Sequence, residues 1–285
     1  MAVWLVLLAA IFVPLEKLFA LRREKIFRAG IAADLAYYFL NGIVPALVAS
    51  VPVGLVAYAA HLWIPQAATA GFARLPVAVR LLAALTVAET GFYWGHRWSH
   101  EIPLLWRFHA VHHSPAHVDW LVNSRGHPVD FVFTRLCGLI PLYALGLGSP
   151  LDGAGGSATV TAMVLGPLWG FFIHANVRWR FGPLEWLIAS PAFHRWHHTN
   201  DSPAVIDKNY APMFPWIDWL FGTLYLPNDR QPAVYGTATV VSSGLARQLL
   251  DPFGRDRSID STASAAKSDG DPDGGRNRAS ASAKP

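Results

Sequence analysis

The segment FYWGHRWSHEIPLLWRFHAVHHSP, residues 92–115, carries five histidines in two spaced motifs. His96 and His100 form an HxxxH, and His109, His112 and His113 form an HxxHH. A second HxxHH, His194, His197 and His198, lies in SPAFHRWHHTND (190–201). Between them stand His127, in RGHPVD (125–130), and His174, in IHANV (173–177). These are ten of the twelve histidines in the chain. On a helix, residues three and four apart share a face, so His96 and His100 can point at one centre, and His109 can pair with His112 or His113. Neighbours such as His112 and His113 diverge by about 100°, so a doublet can address two centres from one helix. Ten imidazoles suit two metal ions, each with several nitrogen ligands and an open position. Neutral imidazole fits Fe, Zn, Cu or Ni.

Working outward, the chain around these motifs is that of a membrane protein. Of 285 residues, 53% are hydrophobic and 15% are charged, against about 25% charged in an ordinary soluble domain. Uncharged runs long enough to cross a bilayer recur, with about 20 apolar residues needed for each crossing. They cover Met1–Leu15 (a span if it continues past Glu16 and Lys17 to Leu21), Leu35–Ala60, Leu75–Gly95 (interrupted by Arg80 and Glu89), Leu136–Leu151 (a short span that begins near Val129), and Gly153–Val177. The expected fold is therefore an all-α membrane bundle of four to five spans. The first run lacks a basic leader and a small-residue cleavage site, and reads as an anchor. Lys17, Arg22, Arg23, Lys25 and Arg28 follow it, which places that side in the cytoplasm. Alternation then brings both His-rich segments to the same cytoplasmic face, as a helical cap. Trp179, Trp186, Trp216, Trp219, Phe221 and Tyr225 read as aromatic anchors at the membrane–water boundary.

Other features exclude classes. One cysteine, Cys137, is too few for an iron–sulfur cluster or a Cys-rich zinc module, and reads as a small apolar residue of a membrane helix. The net charge of +4 makes no stripe for nucleic acid. Residues 251–285, rich in Ser, Ala, Gly and Asp, read as a disordered tail. Residues 229–250 read as an extension, and residues 1–228 as the functional domain.

The order HxxxH, HxxHH, HxxHH between apolar spans resembles the fatty acid hydroxylase/sterol desaturase superfamily of membrane di-iron oxygenases. The connecting text is similar too: RGHPVD, IHANV, SPAFHRWHHTND, then NY at 209–210 and WLFGTLY at 219–225. The likeness runs over about residues 10–228 and leans toward the sterol-desaturase-like branch. It implies a pair of iron ions, with zinc a possible substitute in purified protein, and O₂ as oxidant. It also implies hydroxylation or desaturation of an unactivated C–H bond of a fatty acyl chain, sterol, carotenoid or ether lipid. The expected ligands are His96, His100, His109, His112, His113, His194, His197 and His198, with His174 and His127 beside them. No cytochrome b5 segment is visible, so electrons are expected from a separate cytochrome b5- or ferredoxin-type protein. Hydrogen-bond partners for the ligand rings are expected among Glu89, Asp130, Asn176, Asp201 and Asn209. Arg125 suits either a carboxylate or a lipid phosphate. His61 and His117 read as structural.

Competing readings are a zinc-dependent membrane hydrolase, a metal transporter and a bis-histidine haem carrier. The first lacks an HExxH, since no histidine stands at 104. The other two place ligands near mid-membrane on facing helices, whereas these motifs cluster at one face.

Overall fold

The computed structural model describes residues 1–148 and 155–254. The chain runs through α1 (Ala2–Phe19), α2 (Ile31–Trp63), α3 (Gln66–Ala73), α4 (Val77–Glu101), α5 (Pro103–His113), α6 (Pro128–Ala144), α7 (Gly155–His174), α8 (Pro191–His197), α9 (Pro215–Leu220) and α10 (Leu245–Leu250). Short 3₁₀ turns at Trp120–Ser124, Gly182–Trp186 and Asp251–Phe253 complete it. Among the described residues no strand forms, only two isolated bridges. The protein is an all-α membrane bundle.

Three helices, α1, α2 and α4, are long and apolar enough to cross a bilayer. The other two expected spans do form helices. However, α6 has 17 residues, about 26 Å at 1.5 Å per residue, which is short of a hydrocarbon core of about 30 Å. α7 has 20 residues, about 30 Å. At 33 residues, α2 is about 50 Å long, and its first turns extend beyond the bilayer-spanning length to reach the histidine region.

Proline sets the register of the site. α5, α6, α8 and α9 each begin with one, at Pro103, Pro128, Pro191 and Pro215. Its fixed φ and missing N–H suit the first helical position, and it holds the preceding residue extended. Ile102 (φ −98°, ψ 115°) thus ends α4 and turns the chain into α5. Ser190 caps α8, its hydroxyl accepting from Phe193 N at 3.2 Å.

Small residues let the central helices approach closely. A Cβ added at Gly91 of α4 would lie 2.1 Å from the Cys137 carbonyl of α6, and one at Gly138 would lie 2.9 Å from the Ala88 carbonyl. Cys137 is accordingly an interhelical packing residue. α6 also packs along α2, and α4 along α7. α1 closes the outside through Leu8 and Phe12, which meet Tyr38, Trp120 and Phe171.

A buried ionic chain ties the 114–127 loop to the start of α2. The fully buried Asp34 pairs with Arg125 and, at 2.7 Å, with Arg28, which also grips Asp119. Arg125 therefore serves a carboxylate. Residues 229–254 wrap the same end of the bundle: Asn200 N donates to Val234 O at 2.9 Å, Trp106 Nε1 to Thr239 at 2.9 Å, and Phe253 packs on Phe108. The remainder of the proposed tail lies outside the described residues. Of the expected boundary aromatics, Trp186 and Trp219 are exposed. Phe221 instead stacks on Tyr93, Tyr225 meets Trp196, and Trp179 meets Phe19.

Candidate metal centre

Nine of the ten motif histidines converge into two adjoining groups. His96, His100, His109, His113 and His197 form one, and His112, His174, His194 and His198 the other. Within each group the nearest ring nitrogens all lie within 4.8 Å of one another. Each doublet divides as helix geometry expects. His113 joins His109 one turn before it, and His112 faces the second group; His198 joins His194, and His197 crosses to the first. The groups touch, with the His113 and His198 rings 4.5 Å apart.

The outward nitrogens fix the tautomers. Nδ1 of His96 donates to the Tyr210 carbonyl (2.6 Å), of His112 to that of Arg125 (2.7 Å), of His174 to that of Gly170 (2.7 Å) and of His197 to that of Lys208 (2.9 Å). His109 donates to Asp130 and His100 to Asp207, both at 2.9 Å. Carbonyls and carboxylates only accept, so Nδ1 carries a proton in each of these rings, and in the neutral form Nε2 presents a bare lone pair. Burial favours the neutral form in several rings of the two groups. It lowers the His112 pKa to about 4, with His109 adding to the effect, and pushes His113, His194, His197 and His198 well below the usual range.

Such lone pairs crowd together. His194 Nε2 is 3.0 Å and His198 Nε2 3.2 Å from His174 Nε2, and His112 Nε2 is 3.3 Å from it. Two nitrogens bound to one ion about 2.1 Å away lie about 3.0 Å apart at a right angle and about 3.4 Å apart at a tetrahedral angle. In the other group, His100 Nε2 and His197 Nε2 are buried without any hydrogen-bond partner. Lone pairs that converge in this way repel unless a proton or a cation sits among them, and the donor set fits two metal ions.

His127 stands apart. Its Nδ1 accepts from Val129 N (3.1 Å), capping α6, and its Nε2 bonds to the Leu249 carbonyl (3.1 Å). Both ring nitrogens are engaged, and His127 lies outside both groups. His61 and His117 also lie outside both groups.

Among the expected ring partners, Asp130 alone touches a ligand ring, and it accepts from Ser99 Oγ as well (3.1 Å). Glu89 instead accepts from Met213 N (3.0 Å), Asn176 bonds to the Arg22 backbone, and Asp201 accepts from Ala233 N and Val234 N. Asn209 acts one step removed. In a left-handed conformation (φ 59°), it donates to the carbonyls of Phe193 (2.9 Å) and Tyr225 (2.7 Å). This holds the strip whose Lys208 and Tyr210 carbonyls receive His197 and His96. Asp218 supports that strip by accepting from Tyr210 N (2.7 Å) and Ala211 N (2.9 Å). Burial raises its pKa to about 6. Asp207 and the four carbonyls carried no signal in the sequence, since a backbone acceptor has no letter of its own.

A cavity of about 590 Å³ opens between α2, α4, α6 and α7, walled by Ala49, Val53, Leu85, Phe92 and Leu142 among others. The Phe92 ring meets that of His96 at 5.6 Å, so the cavity ends one helical turn from the histidines.

Residues 81–223, just over half of the chain, match the family described as fatty acid hydroxylase. The protein belongs to that family. It is similar to ornithine lipid hydroxylase OlsE of Rhizobium tropici: the two are 36% identical over 212 residues, 74% of this chain and 59% of that one. Alkylglycerol monooxygenase of Homo sapiens is 32% identical over 154 residues, 54% of this chain and 32% of that one. A very-long-chain aldehyde decarbonylase of Oryza sativa subsp. japonica is 31% identical over 136 residues, 46% and 47% of the two chains. This family member thus spans about three fifths, or less, of the length of these relatives. No solved structure matches it.

Proposed function

We propose that the protein oxidises an unactivated C–H bond of a membrane lipid with O₂, at a pair of iron ions held by His96, His100, His109, His113 and His197 on one side and His112, His174, His194 and His198 on the other. The carrying observation is the convergence of bare, buried imidazole nitrogens from four helices, with His113 and His198 in contact across the two groups. Family membership supports iron as the metal, and the relatives' names support a lipid substrate. Iron bound there supplies the one-electron and O₂ chemistry that side chains lack.

The remaining work belongs to the chain. The carbonyls of Tyr210, Arg125, Gly170 and Lys208, with Asp130 and Asp207, hold each ring's proton on Nδ1 and aim Nε2 inward. The buried setting excludes bulk water from the reacting site. The apolar cavity takes the lipid directly from the bilayer and ends at Phe92, against His96. The basic run Lys17–Arg28 supports a cytoplasmic histidine face. Electrons come from a separate donor protein.

His112→Ala and His197→Ala, one from each group, test the reading. In the purified protein with lipid extract and a reductant, each is expected to abolish lipid-dependent O₂ consumption while the helical circular dichroism is kept. Products heavier by 16 mass units identify hydroxylation, and products lighter by 2 identify desaturation. Zinc outcompetes ferrous iron for nitrogen ligands, so activity is measured after reloading with Fe²⁺. Lipid conversion that persists without O₂ or reductant would establish a hydrolase and defeat the reading.

A further inference from the structure

Among the described residues, the cavity beside the histidines has one cationic side chain in its wall. Arg135 of α6 lines it among apolar neighbours and is only partly buried. Among the described residues it makes no hydrogen bond or ion pair, whereas Arg28, Arg97, Arg125 and Arg180 all hold carboxylates. Glu89 lines the same cavity, yet no carboxylate lies within ion-pair distance of Arg135, and the Glu89 Oε2 atom accepts from Met213 N. A guanidinium stays charged at any physiological pH and presents five donors and no acceptor. Left alone against a hydrocarbon-lined cavity it is costly, and ionisable residues in such positions mark substrate pathways.

Its position says where a partner would sit. Arg135 follows Asp130, the His109 partner, by five residues, which is about 7.5 Å along the helix. Helical side chains lean toward the N-terminus, which in α6 is the histidine end. The guanidinium is therefore carried back toward the wall that Phe92 shares with His96.

We propose that Arg135 binds an oxyanion of the lipid, a phosphate or a carboxylate, within this cavity, and that the substrate is consequently an anionic lipid and not a sterol or carotenoid. A neutral polycyclic or polyene lipid would fill the apolar walls and leave the guanidinium without a partner. An anionic lipid satisfies both, its chain along α2 and its oxyanion in the planar fork. The cavity's role in substrate binding rests on the lipid-oxidation reading. The binding of an oxyanion by Arg135 does not.

The test uses the full-length protein in neutral detergent, without reductant or turnover. It is offered equimolar lipid pairs, phosphatidylglycerol against diacylglycerol of the same chains, and oleate against oleyl alcohol, and the retained lipid is quantified after repurification. The wild-type protein is expected to retain the anionic member of at least one pair about tenfold over the neutral one. The pair that shows the preference identifies phosphate or carboxylate. Arg135→Gln is expected to bring the ratio close to one, and Arg135→Lys, which keeps the charge and loses the fork, to leave an intermediate ratio. Gly54→Phe, placed in the cavity wall, is expected to abolish retention of both lipids. A wild-type ratio near one in both pairs, a ratio unchanged in Arg135→Gln, or anionic lipid still retained by Gly54→Phe would each overturn the assignment. The last would place the lipid on the outer surface. Because no metal or O₂ is needed, a protein that binds anionic lipid and oxidises none would defeat the proposed reaction alone.

Discussion

At the residue scale, the same residue type performs two different tasks, and its second nitrogen decides which. Nine histidines gather in the two groups, six of them with Nδ1 hydrogen-bonded outward, while His127 has both nitrogens engaged by backbone groups. His127→Ala is therefore expected to leave the bound-metal stoichiometry unchanged in elemental analysis. It removes the α6 cap, a loss of about 1 kcal/mol, and frees the Leu249 segment, so cleavage after residue 240 in limited proteolysis should accelerate. A fall in metal content would show that 127 is a ligand after all. Asp130 is the opposite case, hydrogen-bonded to the His109 ring. Asp130→Ala strips His109 of its acceptor, and the expected result is metal affinity about 10- to 100-fold weaker, measured by competition with a chromophoric chelator. Asp130 was legible as a candidate because a carboxylate two residues after RGHP stands out in an apolar run. The other four candidates were equally visible by type, and only their hydrogen bonds separate them.

At the element scale, glycines do two opposite things. Gly91 and Gly138 bring α4 and α6 into backbone contact, whereas Gly54 and Gly166 border the cavity, and a Cβ at either would meet nothing within 4 Å. Gly54→Phe is thus expected to fold, with helix propensity favouring the change by a few tenths of a kcal/mol, while its ring occupies the cavity. Its signature is a near-complete loss of lipid turnover with unchanged metal content and an unchanged or slightly raised Tm. Normal turnover in this variant would show that lipid reaches the histidines by another route. The helices themselves were legible in the sequence. Every expected apolar run forms one, and the prolines at 103, 128, 191 and 215 mark where the site helices begin. The number of crossings was less so, because α6 combines an apolar length of marginal reach with Asp130 and Arg135, and both charges are explained only by what faces them.

At the scale of the whole molecule, the nine-histidine cage joins folding to metal loading. Buried rings with pKa values below the unfolded value of about 6.5 bind fewer protons folded than unfolded across the interval from about 6.5 down to 4. The unfolded chain gains protons there first, so the stability of the metal-free protein is present above pH 6.5 and is lost as the pH falls toward the folded value, about 4 for His112. Thermal melts of the metal-free protein should therefore drop steeply between pH 6.5 and 4.5. Metal at 100 times its dissociation constant should raise stability by about 2.7 kcal/mol at pH 7, an increment that shrinks on acidification because protons compete for the same Nε2 atoms. A metal-free Tm independent of pH over this interval would mean that the imidazoles are not buried neutral.

The sequence by itself determined the class of the molecule. Long apolar runs can satisfy their backbone in a bilayer only as helices, and HxxxH and HxxHH motifs project imidazoles from one helical face whatever the surroundings. It also determined that a doublet serves two centres, because adjacent residues on a helix cannot point the same way. Tertiary structure decided which ten became nine, which carboxylate reaches a ring, and that Arg135 is left facing a cavity. Those outcomes depend on distances between segments that lie far apart in the chain: Arg125 against Asp34, Tyr210 against His96, and Leu249 against His127. No local spacing encodes them, since each is fixed by where the start of α2, the 207–225 strip and the 229–254 segment are tied against the site helices.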